Sequence, residues 1–140
     1  MRLSKAAEKA QVQATVDLLC GGSLRLYTGD APDVVGKGPR QDATLIVQLP
    51  IPDKAADVTA DDFLFTGFPT VEVLARGEPA WYQAMAKDGK TVVLDGTVGD
   101  PREADMGLPP EDRQLYVGMK FALDRFYHKF TNSITEEATR

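Results

Sequence analysis

The stretch of sequence from Ala80 to Leu94 reads AWYQAMAKDGKTVVL. Two extended runs rich in apolar and β-branched residues flank the pair Asp88-Gly89. An Asp-Gly pair between such runs favours a two-residue type I′ hairpin turn, because glycine tolerates the positive φ angle that this turn requires. The sequence therefore predicts a β-hairpin here, with its second strand ending at Asp95-Gly96.

Short extended runs separated by Gly, Pro and Asp lie on both sides of this hairpin. The predicted strands are 24–28, 44–49, 63–65, 71–75, 106–108 and a long amphipathic strand over 115–123. We interpret 31–41 as a loop and 53–62 as a second loop with one helical turn. Since strands and helices do not alternate, a doubly wound parallel sheet is disfavoured. The pattern predicts a mainly β chain, an antiparallel β-sandwich or jelly-roll-like domain with one N-terminal α-helix.

The helix is predicted from Ser4 to Cys20. Ser4 has the features of an N-cap, and Gly21-Gly22 provides a C-terminal stop signal. A narrow apolar stripe follows helical spacing over Ala7, Ala10, Ala14 and Leu18, with Leu19 beside it. The predicted organisation is an N-terminal helix and cap over 1–22, a β domain over 23–125 and a C-terminal arm over 126–140.

Length and charge narrow the function classes. A chain of 140 residues has room for one domain, and its 43% hydrophobic and 26% charged residues are typical of a folded protein. The formal charge of −5 and the lack of a basic run disfavour nucleic-acid binding. Charged residues near the N-terminus and the absence of a long apolar run disfavour a signal peptide, a membrane anchor and a membrane span, so we expect synthesis in the cytoplasm.

The chain contains one Cys and one His, which leaves few ligands for a transition metal and few catalytic groups. His128 is interpreted as an edge or interface histidine, with a catalytic base as the alternative. Cys20 is expected to be a structural thiol, because a helix C-terminus disfavours the thiolate. Calcium binding by Asp57, Asp61 and Asp62 is an alternative that their spacing does not favour. We predict no cofactor, no metal site and no enzymatic activity.

Five aromatic residues are the candidate contact residues: Trp81, Tyr82, Phe126, Tyr127 and Phe130. Trp81 and Tyr82 point to opposite faces of one strand, so only one of them is expected in the core. The outward ring could stack on a sugar or anchor a protein interface, and the interface is favoured because no group of carboxamides accompanies the rings. The alternation breaks after Asp124, which makes Phe126 to Phe130 a candidate arm that packs on another chain.

The predicted helix precedes four short motifs: GGSLRLYTG at 21–29, AWY at 80–82, DG at 88–89 and VLDGTVG at 93–99. In this order they resemble a small family of tailed-bacteriophage virion proteins, over roughly residues 10 to 125. The resemblance implies a non-enzymatic component of the virion, which decorates the capsid or lies at the head-to-tail junction or the tail. It supplies no catalytic residues.

Our first functional hypothesis is a capsid decoration (cement) protein. It would bind the major capsid protein or other virion subunits, and we expect a homo-oligomer. The alternatives are a head-tail junction or tail accessory protein, and a carbohydrate-binding module that attaches to the host through Trp81 or Tyr82. An enzyme would need a pair of carboxylates that the linear sequence does not show.

Overall fold

The computed structural model describes residues 2–130, which form a mainly β chain with one N-terminal helix. A short 3-10 helix, Pro110–Asp112, separates the eighth and ninth strands. In chain order the elements are α1 (Lys5–Leu19), β1 (Ser23–Tyr27), β2 (Leu45–Pro50), β3 (Asp57–Val58), β4 (Asp62–Thr66), β5 (Val71–Glu72), β6 (Trp81–Met85), β7 (Val92–Gly99), β8 (Met106–Gly107), β9 (Lys120–Phe121) and β10 (Arg125–Lys129). The prediction of fold class is confirmed at this level.

The strands form one curled sheet and two smaller ones. The five-stranded sheet has the order β2-β1-β6-β7-β8 and curves into a half-barrel, while β10-β4-β3 and β5-β9 form separate antiparallel sheets. β8 pairs with β7 in the parallel direction, whereas the other pairs of the large sheet are antiparallel. The large sheet is therefore mixed, and the prediction of antiparallel strands throughout is wrong at this edge.

The core lies between the concave face of the five-stranded sheet and the three-stranded sheet. Alternate residues of β1 and β6 point inward, so that Leu24, Leu26 and Tyr82 are fully buried. Phe63 on β4 and Phe126 on β10 fill the core from the three-stranded sheet. The centroids of these two phenyl rings lie 5.3 Å apart. Burial of these large apolar side chains is the main stabilising contribution in such a fold.

The helix begins where the sequence predicts, because the Ala7 N–H donates to Ser4 Oγ at 3.1 Å. Its predicted apolar stripe is wrong except at Leu19: Val12, Val16 and Leu19 are buried, whereas Ala10, Ala14 and Leu18 are exposed. The buried residues also follow helical spacing, and they remove more apolar surface from water than alanines do. α1 lies against β7 of the large sheet and against β3 and β4 of the three-stranded sheet, so it contacts both sheets.

The hairpin of β6 and β7 is confirmed, but its turn is not type I′. Asp88 does not have the positive φ that this turn requires, since the non-glycine residues in the described range all have negative φ, and Gly89 has φ 71°. The Gly89 N–H donates to the Ala86 carbonyl at 3.0 Å. The Asp88 carboxylate accepts from the N–H groups of Lys90 and Thr91, both at 2.8 Å, and this local capping favours the longer loop.

This capping gives the first testable prediction. Hydrogen bonds from the Thr91 N–H, the Lys90 N–H and the Thr91 hydroxyl lower the pKa of Asp88 to about 2. Because the pKa in the folded chain lies below the ordinary value near 4, the carboxylate stabilises the fold above about pH 4, and this stabilisation is lost as the pH falls towards 2. We therefore measure the free energy of unfolding in urea between about pH 4 and pH 2. We expect it to fall less with decreasing pH in Asp88→Asn than in the native chain. Asp42→Asn, in another exposed loop, is the control, and an equal change in both variants would contradict the prediction.

β7 continues through Asp95-Gly96 and ends at Gly99, which corrects the predicted strand end. Gly96 lies opposite Tyr82 in the ladder, and a Cβ at Gly96 would lie 2.6 Å from the Tyr82 ring. Glycine is thus present here because the tyrosine ring occupies the space of a side chain, and not because the strand ends.

Two further predictions in the loop-rich regions are wrong. The long strand over 115–123 is instead an isolated bridge at Leu115, a turn containing Gly118 at φ 86°, and the two-residue strand β9. The helical turn predicted within 53–62 is replaced by β3, which pairs with β4. Over 115–123, pairing with the distant residues Val71, Glu72 and Gly77 overrides the local pattern. β3 instead forms a tight local hairpin with β4.

Candidate functional site

The two aromatic residues of the hairpin are both buried. Tyr82 belongs to the main core, as expected for one of the pair. Trp81 points to the opposite face, where it stacks on Tyr27 at 4.6 Å between ring centroids and donates its indole N–H to the Thr28 carbonyl at 3.1 Å. Trp81 is 2% exposed and Tyr82 0%. Neither ring is available for stacking on a sugar in this conformation.

The described part of the predicted C-terminal arm, 126–130, lies within the fold. β10 pairs with β4 along its length, with Phe126 opposite Phe65 and His128 opposite Phe63. Phe126 is buried in the core, and the partly buried Phe130 packs against this core. Tyr127 faces outward, is 42% exposed, and donates its hydroxyl to Asp62 at 2.8 Å. The rest of the predicted arm, 131–140, lies outside the described residues.

Burial shifts the pKa of both candidate reactive side chains, His128 and Cys20. Burial lowers the pKa of His128, whose ring lies 4.7 Å from the Phe130 ring, and the Asp105 carboxylate opposes this shift. Burial, followed by the charges of Asp17 and Asp53, raises the pKa of Cys20 and so disfavours its thiolate. These environments favour the neutral imidazole and the neutral thiol, as expected of structural groups.

A shallow groove of about 370 Å³ lies beside β8. Its apolar surface comes from Pro101, Leu108 and Leu123, and its rim carries Asp112. Burial and the neighbouring Glu111 raise the pKa of Asp112. Within residues 2–130, no group of three His, Cys, Asp or Glu side chains is placed to hold a metal ion. None of the helices in this range is both long and apolar enough to cross a bilayer.

The most distinctive surface feature is a set of exposed apolar side chains that the sequence analysis did not identify. We call it the Tyr116 patch, and it consists of Leu74, Tyr116, Val117 and Met119, which are 55%, 49%, 70% and 37% exposed. Main-chain hydrogen bonds join its two segments, because the Val73 N–H donates to the Met119 carbonyl at 2.8 Å. This pairing places two segments that are distant in the sequence next to each other.

The local chain path explains why these side chains face solvent. Val73 and Leu115 are buried, so their neighbours Leu74 and Tyr116 point outward. The turn at Gly118 then exposes Val117, and the Met119 sulfur accepts a hydrogen bond from the Tyr116 N–H at 3.2 Å. Gly118 lies within the predicted strand 115–123, and its φ of 86° permits the turn that exposes Val117.

Charged side chains border the patch. The guanidinium of Arg76 lies 5.3 Å from the centroid of the Tyr116 ring, within the range of a cation–π interaction. Lys120 and Glu72 form an exposed ion pair at 3.0 Å. An apolar centre with a polar rim is the usual composition of a protein–protein interface.

Scans against protein-family models, curated proteins and solved structures each found no match. The resemblance to phage virion proteins therefore stays a prediction based on its sequence motifs.

Proposed function

We propose that this protein is a non-enzymatic structural component of a tailed-bacteriophage particle, and that it decorates the capsid as a cement protein. The sequence motifs support the phage assignment. The Tyr116 patch supports a function in binding other proteins, and it is the observation that carries the proposal. The finer architecture of the fold, a β-sandwich or a jelly roll, stays a prediction.

The physical argument starts from the exposure of the patch. Four large apolar side chains on one surface leave apolar area in water, and contiguous apolar areas of this kind mark binding surfaces. Docking of another subunit would remove this area from water, at about 25 cal/mol for each Å². Tyr116 is suited to the centre of such a contact because aromatic residues are enriched among residues that dominate binding energy.

The proposed mechanism is the addition of contacts between subunits. The partners would be the major capsid protein or other virion subunits, with a homo-oligomer of this chain as the bound form. The protein would be made in the host cytoplasm and function in the virion. Binding to assembled capsid and not to dissociated subunits would stabilise the particle by mass action. A standard interface of this kind buries about 1,600 Å² in total.

The test is a charged replacement within the patch. We expect Leu74→Glu with Val117→Glu to weaken cosedimentation with undecorated capsids at least tenfold, since two carboxylates would lose hydration on docking. Both side chains are more than half exposed, so the thermal unfolding midpoint should change little. The control is Val34→Glu with Val35→Glu, which are similarly exposed in the 31–41 loop. Equal binding by the patch variant and the native chain would contradict the proposal.

A position at the head-tail junction or the tail would use the same kind of surface. Labelling of purified particles distinguishes the positions, because a cement protein covers the capsid whereas a junction or tail protein lies at one vertex. The carbohydrate-binding alternative gains no support from Trp81 and Tyr82, which are both buried.

A further inference from the structure

The loop between β1 and β2 is joined to the five-stranded sheet through a single side chain. We call residues 31–41 of this loop the strap. The side chains from 33 to 41 are all exposed. The Lys37 carbonyl accepts a hydrogen bond at 2.8 Å from the side-chain amide of Gln83 on β6. Among the described residues, this is the only hydrogen bond that joins the strap to a strand.

Gln83 lies on the outer face of the sheet, because its neighbour Tyr82 points into the core. Gln83 is nevertheless 1% exposed, and it is the one polar or charged residue that is buried within residues 2–130. The residues opposite it on the adjacent strands, Arg25 and Asp95, are only half-buried. The main chain of the strap at Lys37 therefore covers Gln83 from the solvent side.

The other contacts of the strap are internal. The guanidinium of Arg40 pairs with Asp33, which joins the two ends of the strap. Gly36 has φ 101°, and a Cβ at Gly36 or Gly38 would meet no atom within 4 Å. The chain on both sides of Lys37 is thus not packed against the rest of the molecule. Separation of the strap from the sheet keeps its internal ion pair and breaks the bond to Gln83.

We infer that the strap is a conformational device that opens while the sheet stays folded, and that the Gln83 amide holds it closed. Segments with few buried contacts open at a much lower free energy than the core does. Opening costs one hydrogen bond between protein groups, and water can then bond to both groups. Its effect is to uncover Gln83 on the outer face of the sheet. The strap shares no residue with the Tyr116 patch, so a failed test would leave the proposed function unchanged.

The first test is hydrogen exchange of the full chain, followed by NMR. The side-chain amide of Gln83 can exchange when the strap opens, whereas its main-chain N–H lies in the ladder between β1 and β7. We expect the side-chain amide to be protected relative to free glutamine, but at least tenfold less than the main-chain N–H. Its exchange should not depend on urea below the unfolding transition, because local opening exposes little surface.

Two outcomes of this experiment would overturn the inference. Equal protection and equal urea dependence of the two groups would show that Gln83 is uncovered only by global unfolding. A side-chain amide that exchanges as fast as free glutamine would show that the strap does not close over it.

The second test removes the hydrogen bond that holds the strap. Trypsin cleavage after Lys37 reports opening of the strap, and cleavage after Arg25, within β1, reports global unfolding. We expect Gln83→Leu to raise the ratio of the first rate to the second at least fivefold, because the Lys37 carbonyl loses its partner. Gln48→Leu is the matched control and should leave the ratio unchanged. Gln48 lies opposite Arg25 on the same face, is exposed and does not bond to the strap.

A further pair of variants acts on the strap and leaves the sheet as it is. Gly36→Ala places a side chain at a φ of 101°, which strains the closed strap and should raise the same ratio. Gly38→Ala is its control, because the added Cβ meets no atom. An unchanged ratio in Gln83→Leu would overturn the inference. If Gln83→Leu does not fold, an unchanged ratio in Gly36→Ala would do so.

Discussion

Phe126→Ala is expected to destabilise the free chain by about 3–5 kcal/mol, in the range seen when a buried phenylalanine is truncated. The Phe126 ring is 1% exposed and lies 5.3 Å from Phe63 and 5.5 Å from Tyr82, measured between ring centroids. Removing it leaves a cavity where both sheets meet. Urea unfolding monitored by Trp81 fluorescence provides the measurement, with the decrease in the transition midpoint as the readout.

The control is the next residue along the chain. Tyr127 is 42% exposed and makes one hydrogen bond, to Asp62, so Tyr127→Ala should cost about 1 kcal/mol or less. The comparison also tests the arm hypothesis from the sequence analysis. If Phe126 served mainly in contact with another chain, its replacement would leave the stability of the free chain unchanged and weaken assembly alone.

Gly22→Ala is expected to destabilise the fold by about 3 kcal/mol or more. A Cβ at Gly22 would lie 1.9 Å from the Met85 carbonyl oxygen, which is main chain and cannot rotate away. Gly22 is also held in place, since its N–H donates to Leu19 at 2.8 Å and its carbonyl accepts from Ile51 at 2.9 Å. Relief of the clash would therefore separate β1 from β6 or break the end of α1.

Gly38→Ala is the matched control because a Cβ at Gly38 would meet no atom within 4 Å. Both variants can be compared by thermal unfolding and by circular dichroism. A midpoint for Gly22→Ala within about 2 °C of that for Gly38→Ala would contradict the structural explanation, since one kcal/mol corresponds to a shift of that order.

Local signals predicted the elements that depend on short-range chemistry. The hydroxyl of Ser4 accepts the Ala7 N–H wherever the helix packs, so the helix start could be predicted. The hairpin of β6 and β7 could also be predicted, because the glycine at 89 favours a chain reversal. The exact turn could not be predicted, since it depends on the Asp88 carboxylate, which accepts hydrogen bonds from the main-chain N–H groups of both Lys90 and Thr91.

The candidate site was largely beyond prediction. Leu74 and Tyr116 lie far apart in the sequence, and they share a surface because Val73 bonds to Met119. Alternation over 115–123 placed Val117 on a strand, although Gly118 turns the chain there. In the same way, the exposed character assigned to one hairpin aromatic was wrong because Tyr27 and the Thr28 carbonyl cover Trp81.

The sequence by itself determined the mainly β class, the N-terminal helix with its cap, and the hairpin, because propensity, capping and turn formation act over a few residues. Only the tertiary structure decided which helix face is buried, that β8 pairs in parallel, that Phe126 enters the core, and which apolar residues remain in water. These outcomes depend on contacts between segments that are distant in the chain, where the total apolar area buried outweighs local preference.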